Sequence, residues 1–455
     1  MPVAGDHQPR RRVRRRDADH RRRQPAAASA TATAATAWRR PDHRRAFATR
    51  YPDVVASSQD VAQDRGLQRR IRLADRTHAV TPFLAMEFSK HAAVLEAEGH
   101  RIIKLNVGQP DFGAPPAVVC AMRAALDEHR TSYTPALGIW ELRRAIAKHY
   151  ATTHGVEIDP ERVLVTAGAS AALLLLTAAL VNPGDEVLIA DPSYPCNRHF
   201  LTSFGAEVKL VPTTPATRYQ LDAALVRQHW GPRTRGVMVA TPSNPTGTSV
   251  PAAELAAMCR YADEHDAWRI VDEIYLGLLD GTPHTALASD DDALVINSFS
   301  KYFGMTGWRL GWCVVPSDMV SVLERLAQNY YICPSAPAQY AAVASFDDES
   351  IAICEDRRAQ FVRRRALVLQ GLESIGLDVP VVPDGAFYVY IDISSTGLDA
   401  MAFCERILHE AHVALTPGYD FGHVRAGQHV RLSYAAAEAD LVEALQRLGA
   451  VVPRL

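Results

Sequence analysis

Residues 298–312 read "SFSKYFGMTGWRLGW", in which a single lysine, Lys301, sits among hydroxyls, aromatics and glycines, with an arginine eight positions later. Apolar "ALVIN" (293–297) precedes the stretch and "CVVP" (313–316) follows it, so the chain here passes through a core between two strands. A lysine in such a place loses hydration free energy unless something compensates. Its neighbours along the sequence show what could.

Upstream, strand-like and helix-like segments alternate. "RVLVTAG" (162–168) leads into the apolar run "ASAALLLLTAALV" (169–181), and "DEVLIADPSYP" (185–195), "AEVKLVPT" (206–213), "RGVMVATPSNPTG" (235–247), "WRIVDEIY" (268–275), "ALVINSFSK" (293–301) and "RLGWCVVP" (309–316) follow. Short apolar strands separated by helices predict an α/β domain with a mostly parallel sheet. After about residue 340 a long amphipathic helix and strands such as "GAFYVYIDI" and "HVRLSYA" predict a smaller α+β domain. The run at 169–181 is too short to span a bilayer and reads as a buried helix.

In open sheets of this kind ligands bind beyond the carboxyl ends of the strands. Those ends carry Gly168-Ala169-Ser170 opening a helix, then Tyr194, Asn244, Asp272 with Tyr275, and Ser298, Ser300 and Lys301. A helix start preceded by small residues offers free N–H groups to a phosphate, and Ser298 and Arg309 can add donors to the same anion. Asp272 ends a hydrophobic strand and requires a cation, which a protonated ring nitrogen would supply. Asn244 and Tyr275 can donate to a phenolate-like oxygen, Tyr194 can lie against a flat ring, and a lysine can form an imine. Phosphate, pyridinium, phenolate and aldehyde together describe pyridoxal phosphate.

From about residue 72 to 455 the chain resembles the class I/II, fold type I pyridoxal-phosphate-dependent aminotransferases. The lysine stretch matches that family's signature, and "NVGQPDF", "TSYTPALGIWELR", "TPSNPTG", "VDEIY", "DGAFYVYIDI", "TPGYDFG" and "VRLSYA" match its other landmarks in order. The resemblance implies a Schiff-base lysine and proton-transfer base at Lys301, a ring-nitrogen partner at Asp272, and Asn244 and Tyr275 on the ring oxygen. It implies Tyr194 stacked on the ring and a phosphate held by Gly168, Ala169, Ser170, Ser298 and Arg309; Ser300, beside the lysine, is left outside this set. Arg431 would grip the substrate α-carboxylate, with Gly108 letting backbone approach it and Asn244 and Tyr194 bordering the substrate. Tyr133 would reach the phosphate of a neighbouring subunit, implying a homodimer with shared active sites. Where the aspartate-type branch carries a lysine for acidic side chains, this chain has Ser170, so a neutral amino donor is expected. Apolar and aromatic residues in "NYYICPSAPAQY" (329–340) are expected to wall its side-chain pocket.

Other readings are weaker. "GASAA" (168–172) resembles a nucleophile elbow, but Ala172 replaces the last glycine and no triad context follows. His409 and His412 in "HEAH" read as a solvated helix turn, not a metal site. The same fold carries C–S lyases and cyclising synthases, and also regulators that sense the cofactor. A regulator needs a folded DNA reader, for which residues 1–70 show no helical pattern.

Those first seventy residues stand apart. Residues 1–50 hold fourteen arginines against four aspartates, a net +10, which leaves −12 for the rest of a chain whose total is −2. The first lysine is Lys90. Such composition cannot bury enough apolar surface to fold and predicts a disordered extension, read as sequence upstream of a misassigned start rather than a nucleic-acid arm or a transit peptide. The expected organisation is extension 1–70, an arm and part of the small domain at 71–113, a cofactor-binding domain at 114–345 and a small domain at 346–455. Seven scattered cysteines without a C-x-x-C pair predict reduced thiols and a cytoplasmic protein. No membrane or nucleic-acid partner is expected.

Overall fold

The computed structural model describes residues 72–455, so the extension predicted at 1–70 lies outside the described residues. The larger sheet has seven strands: β2 (Val163–Thr166), β3 (Glu186–Asp191), β4 (Glu207–Pro212), β5 (Thr234–Ala240), β6 (Trp268–Asp272), β7 (Leu294–Ser298) and β8 (Gly311–Val314). Their spatial order is β2-β8-β7-β6-β5-β3-β4. β4, β3, β5, β6 and β7 pair in parallel, and β8 lies antiparallel between β7 and β2. The predicted α/β architecture is what the chain adopts. "VLVT" in β2 and "GWCV" in β8 are buried at every position, as expected of strands covered on both faces.

The one reversed strand matters for the site. Thr166 and Ser298, the last residues of β2 and β7, both pair with Gly311, the first residue of β8. The turn that enters β8, carrying Arg309, therefore lies at the same edge as the carboxyl ends of β2, β5, β6 and β7. Helix α2 (Ala169–Leu180) starts at that edge and buries Ala172, Leu173, Leu175 and Leu176 against the sheet.

A second, three-stranded antiparallel sheet orders β11 (Thr416–Pro417), β12 (His429–Ser433) and β9 (Tyr388–Asp392). It sets Arg431 opposite both Thr416 and Tyr390. The short strands β1 (Ile103–Lys104) and β10 (Val413–Ala414) pair in parallel, tying the segment after helix α1 (Leu84–Ala97) to the C-terminal part. The 27-residue helix α3 (Asp348–Ser374) follows the large sheet. α1 has no capping side chain of its own. Instead the Asp420 carboxylate accepts from the Leu84 and Ala85 N–H groups at 2.8 and 3.0 Å, a charge placed where free N–H groups and the helix dipole favour it. This contact fixes the start of α1 beside the cavity described next. Among the described residues no helix is long and apolar enough to cross a membrane.

Candidate active site

One cavity gathers most of the residues singled out in the sequence. Gly108, Ala169, Ser170, Tyr194, Asn244, Asp272, Tyr275, Ser298, Lys301, Arg309 and Arg431 all line it. Gly168 lies directly behind its wall, where a Cβ would come within 2.5 Å of an Arg309 guanidinium nitrogen. Tyr133 is not among the lining residues and is 81% exposed. Ser300, which the sequence left in doubt, also lines the cavity: its hydroxyl accepts from Ser298 Oγ at 2.9 Å and lies 3.4 Å from Arg309. One expectation about the cavity needs correction. None of residues 329–340 lines it; Tyr330 and Ile332 are instead about half exposed. Tyr331 and Tyr340 are partly buried against the core, and the cavity's apolar wall comes from Phe83, Met86, Val107, Leu173 and Ile274.

At one end of the cavity lies an anion cradle. Gly168 has φ +82°, a conformation that costs other residues strain, and it turns the chain from β2 into α2. The first N–H groups of α2, the hydroxyls of Ser298 and Ser300 and the Arg309 guanidinium converge there.

The middle of the cavity holds a buried carboxylate and a half-buried amine. Asp272 is 5% exposed, and its carboxylate accepts from Ile274 N–H at 3.1 Å. Burial pushes its pKa up to about 6, against the pull of that N–H and of Lys301. Such a carboxylate lacks a full counter-ion. Lys301 Nζ donates to the Gly108 carbonyl at 2.7 Å. Burial, then Arg431, then Arg309 pull its pKa down to about 8, which Asp272 opposes. With its pKa at about 8 the lysine of the opening stretch is still mostly ammonium at neutral pH, but it gives up its proton far more readily than an ordinary lysine.

Arg431 closes the far end. It is 2% exposed, donates to Asn244 Oδ1 at 2.8 Å and to the Asn106 carbonyl, and its Nε has no partner. Its guanidinium faces the Tyr388 ring at 4.6 Å. Because Asn244 accepts through Oδ1, its amide N–H groups remain to donate to a ligand. Tyr194 meets the edge of Phe83 with centroids 6.1 Å apart. Asn106 and Tyr388 were not singled out from sequence, although both lie inside quoted landmarks.

Pyridoxal phosphate fits this donor set on four counts. The glycine-backed cradle is cationic, the buried Asp272 lacks a full counter-ion, the half-buried amine has a lowered pKa, and Asn244 and Tyr275 offer donors between them. Among the described residues no group of three or more His, Cys, Asp or Glu is arranged to hold a metal.

Comparison with known proteins agrees with this chemistry. Residues 100–448 match the family model described as aminotransferase class I and II. The valine–pyruvate aminotransferase of Mycobacterium tuberculosis is 42% identical over 82% of this chain and 97% of its own length. The aspartate/prephenate aminotransferase of Thermus thermophilus is 36% identical over 86% of this chain and all of its own. The crystal structure of an aminotransferase from Mycobacterium tuberculosis superposes with a TM-score of 0.82 at 42% identity, covering 85% of this chain and 100% of that one.

Proposed function

The chain belongs to the class I and II aminotransferases, and from that premise we propose which residues carry the reaction and which donors it prefers. The protein is an enzyme that moves an amino group between an amino acid and a 2-oxo acid, and it depends on pyridoxal phosphate. When bound, the cofactor supplies a carbonyl that captures amino groups and a ring that accepts electron density. Gly168, Ala169, Ser170, Ser298, Ser300 and Arg309 hold its phosphate. Asp272 keeps the ring nitrogen protonated, Asn244 and Tyr275 donate to the ring oxygen, and Tyr194 covers a face. Lys301 Nζ would hold the cofactor through its carbonyl and, as a free amine, would take the proton from the substrate α-carbon and deliver it two atoms away, the 1,3 shift that transamination needs. Arg431 forks onto the substrate α-carboxylate, with the Gly108 backbone beside it.

The donor has a neutral side chain. The observation that carries this is the use of cations: among the described residues of one chain, Lys301, Arg309 and Arg431 are the lysines and arginines that line the cavity, and each has a role already. An acidic side chain would need a further cation, because burying an unpaired carboxylate costs several kcal/mol. Ser170 and the apolar Phe83, Met86, Val107, Leu173 and Ile274 suit an aliphatic or aromatic group instead. A relative at 42% identity is named for valine. Steady-state kinetics on a panel of donors is expected to give alanine, valine, leucine or an aromatic amino acid a kcat/KM at least about tenfold above that of aspartate, about 1.4 kcal/mol. Aspartate as the best donor would overturn the inference.

The cradle gives a second expectation. Alanine at Gly168 would sit at φ +82° with its Cβ 2.5 Å from Arg309, so Gly168→Ala must move the guanidinium. The affinity of the apoenzyme for pyridoxal phosphate, titrated by absorbance, is expected to fall at least about tenfold, since a displaced guanidinium loses a hydrogen bond to a charged group, worth about 1.5–3 kcal/mol. Unchanged affinity would place the phosphate elsewhere.

A homodimer belongs to the same proposal. Its support is Tyr133, exposed and away from its own cavity, as a residue serving a second copy would be. Residues 114–345 form the cofactor-binding domain, with 346–455 and the arm 71–113 as the smaller one. The seven-stranded sheet lies wholly inside the first range, and β1 pairs with β10 across the others. A cytoplasmic location rests on seven thiols, all free of disulfides.

A further inference from the structure

Tyr388 touches three parts of the cavity at once. Its Oη lies 2.8 Å from Tyr275 Oη. A Cβ on Gly108 would come within 1.8 Å of that same oxygen. Its ring lies against the Arg431 guanidinium, 4.6 Å from centroid to carbon. Both tyrosines are buried, Tyr388 at 1% and Tyr275 at 5% exposed. Among the described residues each hydroxyl has the other as its hydrogen-bond partner.

A hydroxyl has one proton to give. In this pair one proton bridges the two oxygens and the other is left for the cavity. If Tyr275 donates to Tyr388, its proton is used up and the ring oxygen of the cofactor receives nothing from it. If Tyr388 donates, the Tyr275 proton is free to point at that oxygen. The positive Arg431 against the Tyr388 ring favours the second arrangement, because a nearby cation makes a hydroxyl the stronger donor. We infer that Tyr388 is a positioning residue, which donates to Tyr275 and so commits the Tyr275 proton to the cofactor's ring oxygen.

The acidities agree with this order. Burial raises both hydroxyls, and Tyr275 stands well above its ordinary value. At Tyr388 the largest opposing influence is Arg431. Linked hydroxyls also polarise one another, so a donating Tyr388 makes Tyr275 a better donor to a ring oxygen bearing negative charge. The arrangement joins the end of the cavity that binds the substrate carboxylate to the group that sets the cofactor's protonation. It rests on the proposed placement of Tyr275 at the ring oxygen.

The test is a pH titration of the visible absorbance of the holoenzyme for wild type, Tyr388→Phe, Tyr275→Phe and the double variant. Phenylalanine keeps the ring over Arg431 and removes only the hydroxyl. Stabilising the anionic ring oxygen lowers the titration midpoint, so losing either hydroxyl raises it. Tyr275→Phe is expected to move it up by about one pH unit or more, the loss of a hydrogen bond to a charged group. Tyr388→Phe is expected to move it up by about half a unit, the smaller effect of losing cooperativity. In the double variant the midpoint is expected to equal that of Tyr275→Phe, since Tyr388 acts only through Tyr275. A Tyr388→Phe midpoint equal to wild type overturns the inference while leaving Tyr275 in place. So does an effect of Tyr388→Phe that persists undiminished without the Tyr275 hydroxyl. If Tyr275→Phe itself leaves the midpoint unmoved, the placement of Tyr275 falls, and the inference with it.

Discussion

Lys301→Ala is expected to abolish the visible absorbance of the protein with pyridoxal phosphate and to lower kcat by about four orders of magnitude or more. Two functions disappear together. On the proposed assignment the amine that would anchor the cofactor is lost, and so is the base that would move the substrate proton, a role worth about 10²–10⁴ by itself. Nothing nearby can replace it, since among the described residues Lys301 is the one lysine lining the cavity. The substitution should not unfold the chain. It removes a half-buried amine whose charge is already disfavoured, with its pKa pulled down to about 8, and the one hydrogen bond lost is to the Gly108 carbonyl. Thermal melting of the apoprotein is therefore expected to change little, separating loss of chemistry from loss of fold. A variant retaining kcat within about tenfold would remove Lys301 from the mechanism.

Asp272→Ala is expected to leave the cofactor bound but nearly inactive. The proposed phosphate cradle is the start of α2, the serines and Arg309, and the carboxylate's hydrogen bond is instead from Ile274 N–H. The ring nitrogen, by contrast, would lose its counter-ion inside a buried site. Removing one partner of such a pair costs about 3–5 kcal/mol, equivalent to two to four decades of rate if it falls on the transition state. Measuring kcat beside the cofactor content of the purified variant checks both halves. Transamination within about tenfold of wild type would mean that Asp272 does not face the ring nitrogen.

Several of the residues legible from sequence share a property: each is placed by the strand that precedes it. Asp272 ends β6, Ser298 ends β7, Gly168 follows β2, and strand ends of a parallel sheet share one edge. Arg309 precedes β8, the antiparallel strand, and its position could be matched by resemblance but not by that rule. What sequence missed depends on contacts between distant segments. Tyr388 meets Tyr275 from 113 positions away, and the Asn106 carbonyl meets Arg431 across 325. Within "DGAFYVYIDI" nothing distinguishes Tyr388 from Tyr390; only the pairing of β9 with β12 sets their surroundings. Ser300 was ambiguous because consecutive residues in a turn have no fixed face. The error over "NYYICPSAPAQY" came from reading apolar composition as a pocket wall, although composition alone cannot tell an inner surface from an outer one. The apolar wall instead begins at Phe83 and Met86, held there by Asp420 from the other end of the chain.

The central claim is that the cofactor is carried on Lys301 within this cavity. The most direct test is to reduce the wild-type holoenzyme with borohydride, digest it, and locate the pyridoxyl group by mass spectrometry. The account predicts one modified peptide, with the added mass on Lys301 of "SFSKYFGMTGWR". A pyridoxyl group on any other lysine, or none on the polypeptide, would contradict it.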